Sequence, residues 1–133
     1  MKPTLKAGIS ASREFLVGRE STIDFMGEDA RVYATPMLVR DIEITCRELL
    51  LPHLDSGEDS VGTRIDIEHL APTLLGMRVT VTAKLVELTG RAATFEVSAS
   101  DGVEPVCRGR HARFVVTIEQ TRQRLKQKQA KAA

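Results

Sequence analysis

Only two cysteines, Cys46 and Cys107, occur among the 133 residues, too few for a disulfide framework, and no CxxC pair suggests zinc or redox work. A reducing cytoplasm is the compartment expected on that basis. No apolar run approaches the roughly 20 residues that span a bilayer, and the Met1-Lys-Pro-Thr start carries no apolar core of the kind that marks a secretory signal. Neither secretion nor a membrane partner is expected. The GxSxG elbow, the Walker A loop, GxGxxG and HExxH are all absent, which sets aside nucleotide-fold enzymology and zinc-peptidase chemistry. The acidic stretch from Asp55 to Asp66 resembles a calcium loop in charge alone, because Ser60 stands where glycine is required and Asp66 where glutamate is expected. Cys107 and His111 lie at i and i+4, a spacing that on a strand merely puts them on one face, and no further ligands accompany them. No metal site is expected.

What is present suits one soluble globular domain: 42% hydrophobic and 28% charged residues in a chain long enough to bury a core. Net charge is +1, unevenly spread. Residues 119–133 hold five basic side chains against one acid, and residues 1–118 hold 14 against 17. The division predicts a body over 1–118 and a basic tail over 119–133. In the tail, Arg122, Arg124, Lys126 and Lys128 alternate with few apolar anchors and no aromatic residue to stack on a base, which reads as a solvated helix rather than a nucleic-acid surface.

From Ile9 to Phe25 the pattern is mixed and predicts two short strands meeting at Gly18. Residues 27–31 read as a polar loop. Thr35-Pro36 opens a helix, with Thr35 as N-cap and proline at the first helical position, running to about Leu51 before Pro52. Leu38, Val39, Ile42, Cys46, Leu49 and Leu50 share one face at helical spacing, and Glu43 falls about 20° beyond its margin. After a turn over 53–59 the period changes from 3.6 to 2. Val61, Thr63, Ile65, Ile67 and His69 alternate with charged residues, as do Met77 to Leu85, Ala93 to Ala99 and Val106 to Ile118 with their polar neighbours. Asp101-Gly102 marks a hairpin. One long helix followed by long strands joined by tight turns predicts an α+β fold, an antiparallel sheet wrapped on one helix.

Three polar side chains stand out against the apolar faces. His69 ends a strand on its predicted buried side, Glu43 borders the helical stripe, and Thr35 begins the helix. Each alone has an ordinary structural reading: a core imidazole, a carboxylate reaching water, an N-cap. Together a hydroxyl, a carboxylate and an imidazole are the set that acyl transfer requires, placed where a pocket between helix and sheet would receive it.

The run Val32-Tyr-Ala-Thr-Pro-Met, then Glu43, Leu54-Asp-Ser-Gly-Glu-Asp-Ser-Val-Gly-Thr63, His69, Gly76-Met-Arg-Val-Thr-Val-Thr-Ala83 and Val97-Ser-Ala-Ser-Asp-Gly-Val103 resembles the fluoroacetyl-CoA thioesterase family of hotdog-fold proteins. The resemblance implies catalytic roles for Thr35, Glu43 and His69, a glycine lining the site at Gly62 and a substrate-binding arginine at Arg113. It also implies a long central helix wrapped by an antiparallel sheet, a homodimer, and acyl-CoA as substrate, with CoA belonging to that substrate and no separate cofactor. Fluoroacetyl-specific members carry an aromatic lid just before the helix, whereas the stretch here is Phe25-Met-Gly-Glu-Asp-Ala, with Phe25 its one aromatic. Contacts to a single small substituent supply only about 1–3 kcal/mol, so losing shaped walls relaxes specificity, and a short or medium acyl group is expected. A non-catalytic acyl-CoA-binding protein and a hydratase or dehydratase of the same fold are the alternatives; neither would release CoA thiol.

Overall fold

A computed structural model describes all 133 residues. The two inner strands show most directly why this sequence makes a sheet. In β3 (Arg78–Thr89) and β4 (Ala92–Ser100), Val79, Val81, Ala83, Leu85, Ala93, Phe95, Val97 and Ala99 are all buried, while the residues between them are polar and mostly exposed. Alternation of this kind fixes which face meets the core. Gly90, at φ +60°, closes the turn between these strands. At the next hairpin the Asp101 carboxylate accepts the N–H groups of Val103 and Glu104, both at 3.0 Å, so the Asp-Gly signal is realised as a side-chain-braced turn leading into β5 (Pro105–Thr117).

β1 (Ser10–Leu16) pairs with β3, and β2 (Glu58–His69) pairs with β5, giving an antiparallel sheet in the order β1-β3-β4-β5-β2. α1 (Thr35–Leu50) lies on its inner face. Leu38, Ile42, Cys46, Leu49 and Leu50 are buried there, as the helical spacing predicts. Each of the large aliphatic side chains so buried contributes about 1.5–3 kcal/mol. Asp41 and Thr45 are buried as well, and each has a partner: the Tyr33 hydroxyl donates to the Asp41 carboxylate, and the Thr45 hydroxyl donates to the Asp41 carbonyl at 2.8 Å. The predicted α+β architecture is present.

Three expectations are corrected. Residues 9–25 form one strand, not two, because beyond Gly18 the chain turns through a short 3-10 segment, Arg19–Ser21, and afterwards makes only an isolated bridge from Thr22 to Tyr33. The helix N-cap is Ala34, and Thr35 is the first helical residue, so its hydroxyl makes no cap. Lastly, β2 carries a bulge between Gly62 and Arg64. Before it, Gly62 lies opposite buried Arg113 and Val61 opposite exposed Phe114; after it, Ile65 lies opposite buried His111. Residues opposite one another share a face, so Val61 points outward and Gly62 inward, the reverse of an uninterrupted alternation.

The tail is helical. α2 (Ile118–Ala132) buries no residue, as expected for a helix with few apolar anchors. No helix is long and apolar enough to cross a membrane.

Candidate active site

Thr35 and His69 come together. The Thr35 hydroxyl, free of capping duty, lies 2.7 Å from His69 Nδ1. Tyr33 packs edge-on against the imidazole, with ring centroids 6.3 Å apart and planes at 83°. Burial pushes the His69 pKa down, because charging the ring there forfeits hydration. The other nitrogen, Nε2, is buried and has no hydrogen-bond partner. Thr35 and His69 line an open, largely apolar cavity of about 650 Å³ whose walls include Ile23, Phe25, Val32 and Leu70. At the start of α1, the Met37 and Leu38 amides both donate to the Ala34 carbonyl and Pro36 has no N–H, which leaves the Thr35 amide as the free donor of that turn.

Glu43 belongs to a second cluster. Its Oε1 lies 3.7 Å from Arg113 Nη1, and a Cβ built on Gly62 would sit 2.2 Å from that same oxygen. A side chain at position 62 would push the carboxylate from this place. Arg113 is buried, which lowers its proton affinity, yet the guanidinium is held on several sides. Nε donates to the Ser60 hydroxyl at 2.7 Å, Nη2 to the Ser60 carbonyl at 2.8 Å, and Nη1 to His111 Nε2 at 3.2 Å. Behind it, burial raises the Cys46 thiol to about 12, leaving that cysteine protonated and inert. From the sequence alone, neither Ser60 nor His111 is placed in this cluster, and His111 is considered only as a metal ligand beside Cys107. The available signal was His111-Ala-Arg113, an imidazole and a guanidinium on one face of a strand whose other inward residues are apolar.

Within one chain the two clusters are apart. Glu43 follows Thr35 by eight residues of α1, about 12 Å of helix. His69 follows Gly62 by seven residues of β2, about 23 Å of strand. β2 is also an outer strand of the sheet, and Val61, Ile65 and neighbouring Phe114 are substantially exposed.

The chain is 34% identical to the fluoroacetyl-CoA thioesterase of Streptantibioticus cattleyicolor over 135 residues, covering 96% of this chain and 97% of that one. A variant of the fluoroacetyl-CoA-specific thioesterase, solved in complex with fluoroacetate and CoA, superimposes with a TM-score of 0.82 at 34% identity, covering 88% of this chain and 99% of the other. A hot-dog-like protein from Thermanaerovibrio acidaminovorans shares the fold with a TM-score of 0.85 at 24% identity, covering 96% and 93% of the two chains. The family model described as fluoroacetyl-CoA-specific thioesterase matches residues 17–119, a span that contains β2, β3, β4, β5, α1 and both polar clusters, and the chain belongs to that family.

Proposed function

We propose that this thioesterase hydrolyses a short or medium acyl-CoA to the free acid and CoA, at a site that a homodimer completes. The observation that carries this reading is the Thr35–His69 pair: a hydrogen-bonded imidazole whose buried second nitrogen has no partner, on the wall of an apolar cavity. A substrate carbonyl or a leaving sulfur is the polar atom such a nitrogen would meet. Membership of a thioesterase family supports the same reaction. The two free, buried cysteines fit a reducing cytoplasm.

Glu43 supplies the attacking step, either adding its carboxylate to the thioester carbonyl as a transient anhydride or removing a proton from the water that adds. The carbonyl oxygen takes up negative charge and the carbon–sulfur bond breaks; the water that adds, to the thioester carbonyl or to the anhydride, releases the free acid with the Glu43 carboxylate restored, and its proton reaches the departing sulfur through His69. The Thr35 hydroxyl holds the imidazole in place, and the single free amide at the start of α1 is the backbone donor available to the oxyanion. Arg113 is enclosed by Ser60 and His111 and faces Glu43, so its role is to hold that carboxylate, not to meet CoA phosphates.

The dimer unites the clusters. β2 offers twelve residues with unpaired backbone groups on its outer side, an arrangement that invites a second strand. Two β2 strands paired antiparallel about a two-fold near Ile65 bring Gly62, and Glu43 above it, toward His69 of the partner subunit. The bulge lets Gly62 and His69 face inward together, as one shared site needs.

A panel of acyl-CoAs of increasing chain length, read with a thiol-detecting dye, tests the activity, and failure to release CoA from any of them sinks it. Two results are expected once the substrate is found. Because burial lowers the His69 pKa, its neutral form persists to lower pH than usual, and the acid limb of kcat/KM should lie below about 6.5, the ordinary imidazole value. A limb above that value contradicts a desolvated His69 base. Gly62→Ala places a methyl on the Glu43 carboxylate, and displacing a reacting group by about an ångström costs on the order of 10²-fold in rate. An alanine variant with the parent kcat would separate Glu43 from the chemistry.

A further inference from the structure

We infer that His111 is a positioning residue: it locks the Arg113 guanidinium, and through it the direction of the Glu43 carboxylate. The inference deepens the thioesterase reading and rests on it for its effect on rate. His111 is 1% exposed and Nδ1 lies 2.7 Å from the Arg64 carbonyl oxygen. A carbonyl only accepts, so Nδ1 carries the hydrogen and donates it there. Neutral imidazole has one N–H, which leaves a lone pair on Nε2, and that is the atom receiving Arg113 Nη1–H at 3.2 Å. The strand pairing thus chooses the tautomer, and the tautomer supplies the acceptor.

Three fixed acceptors, the Ser60 hydroxyl and carbonyl on β2 and His111 Nε2 on the same strand as Arg113, hold the guanidinium plane. A planar fork held at three points cannot swing, and Nη1 is thereby presented to Glu43 Oε1. Glu43 itself has no other recorded ion pair, and its side chain is 44% exposed, so this guanidinium is what aims it. The ring is also packed, stacked on Phe95 with centroids 6.4 Å apart and an interplanar angle of 25°. Packing alone would be served by an apolar residue, but that choice would strip a buried donor of its acceptor, which typically costs more than a hydrogen bond gains.

Two amide variants separate positioning from packing. His111→Gln carries a carbonyl oxygen out to where Nε2 stands and keeps an acceptor for Arg113. His111→Asn is shorter; it keeps a donor for the Arg64 carbonyl but withdraws the acceptor. Positioning predicts that Asn lowers kcat by about tenfold or more while KM stays close to the parent, and that Gln restores most of the rate at matched melting temperature. Nitrogen-15 NMR of the guanidinium gives a second reading that needs no turnover: slow rotation of the Arg113 Nη groups in the parent and the Gln variant, fast averaging in Asn. Equal loss of rate in both variants, tracking their melting temperatures, or an Arg113 that stays locked in Asn, overturns the proposal. If the parent hydrolyses no acyl-CoA, the thioesterase reading fails and the NMR comparison alone decides whether His111 locks Arg113.

Discussion

Glu43→Gln and His69→Ala are each expected to lower acyl-CoA hydrolysis by at least about 100-fold, the scale of a lost acid–base group. The first change swaps one carboxylate oxygen for an amide nitrogen on a side chain that is 44% exposed, but it also takes from buried Arg113 the one acid it pairs with, so some stability is lost along with the rate. The amide nitrogen neither attacks a thioester nor accepts a proton from water, and it no longer attracts Arg113. His69→Ala removes the imidazole and also strands the Thr35 hydroxyl, whose only recorded partner is Nδ1. Thermal unfolding measured beside the thiol assay separates the two effects. Parent-like rates in both variants would end the assignment of this pair to catalysis.

The second large effect comes from mixing those two inactive proteins. If Glu43 of one protomer serves a site with His69 of the other, each mixed dimer carries one site with both defects and one with neither. Random reassortment makes half of the dimers mixed, so about a quarter of the parent activity should return. Two protomers with self-contained sites would return nothing. The distances favour recovery, since about 12 Å of helix separates Thr35 from Glu43 inside one chain and no packing adjustment closes that gap. Co-unfolding and refolding the two variants before assay allows reassortment, and activity that stays at the level of the separate variants rejects the shared site.

Much of this arrangement was legible in the residues. The 3.6-period of Leu38, Ile42, Cys46, Leu49 and Leu50 located the buried face of α1, and the strict alternation of β3 and β4 located theirs. Thr35, Glu43 and His69 were identifiable as residue types out of keeping with their surroundings. What stayed hidden was of two kinds. Threonine before proline is the usual cap signature, whereas the Thr35 hydroxyl has a tertiary partner 34 positions away that no local rule anticipates. Ser60, His111 and Arg113 meet because β2 pairs with β5 in one particular register, and register between strands so distant in sequence is set by the whole sheet. The bulge was masked by Val61, Thr63, Ile65 and Ile67, whose period of two looks continuous and is not.

That bulge also governs parity. Gly62 and His69 are separated by an odd number of positions, so in a regular strand they would face opposite sides of the sheet. The additional residue at Thr63 converts odd spacing to even facing, putting the glycine that shelters the carboxylate and the imidazole on the same side. A chain shortened by one residue there would keep Gly62, Glu43, His69 and nearly all its composition, and still turn either the glycine or the imidazole out into the solvent.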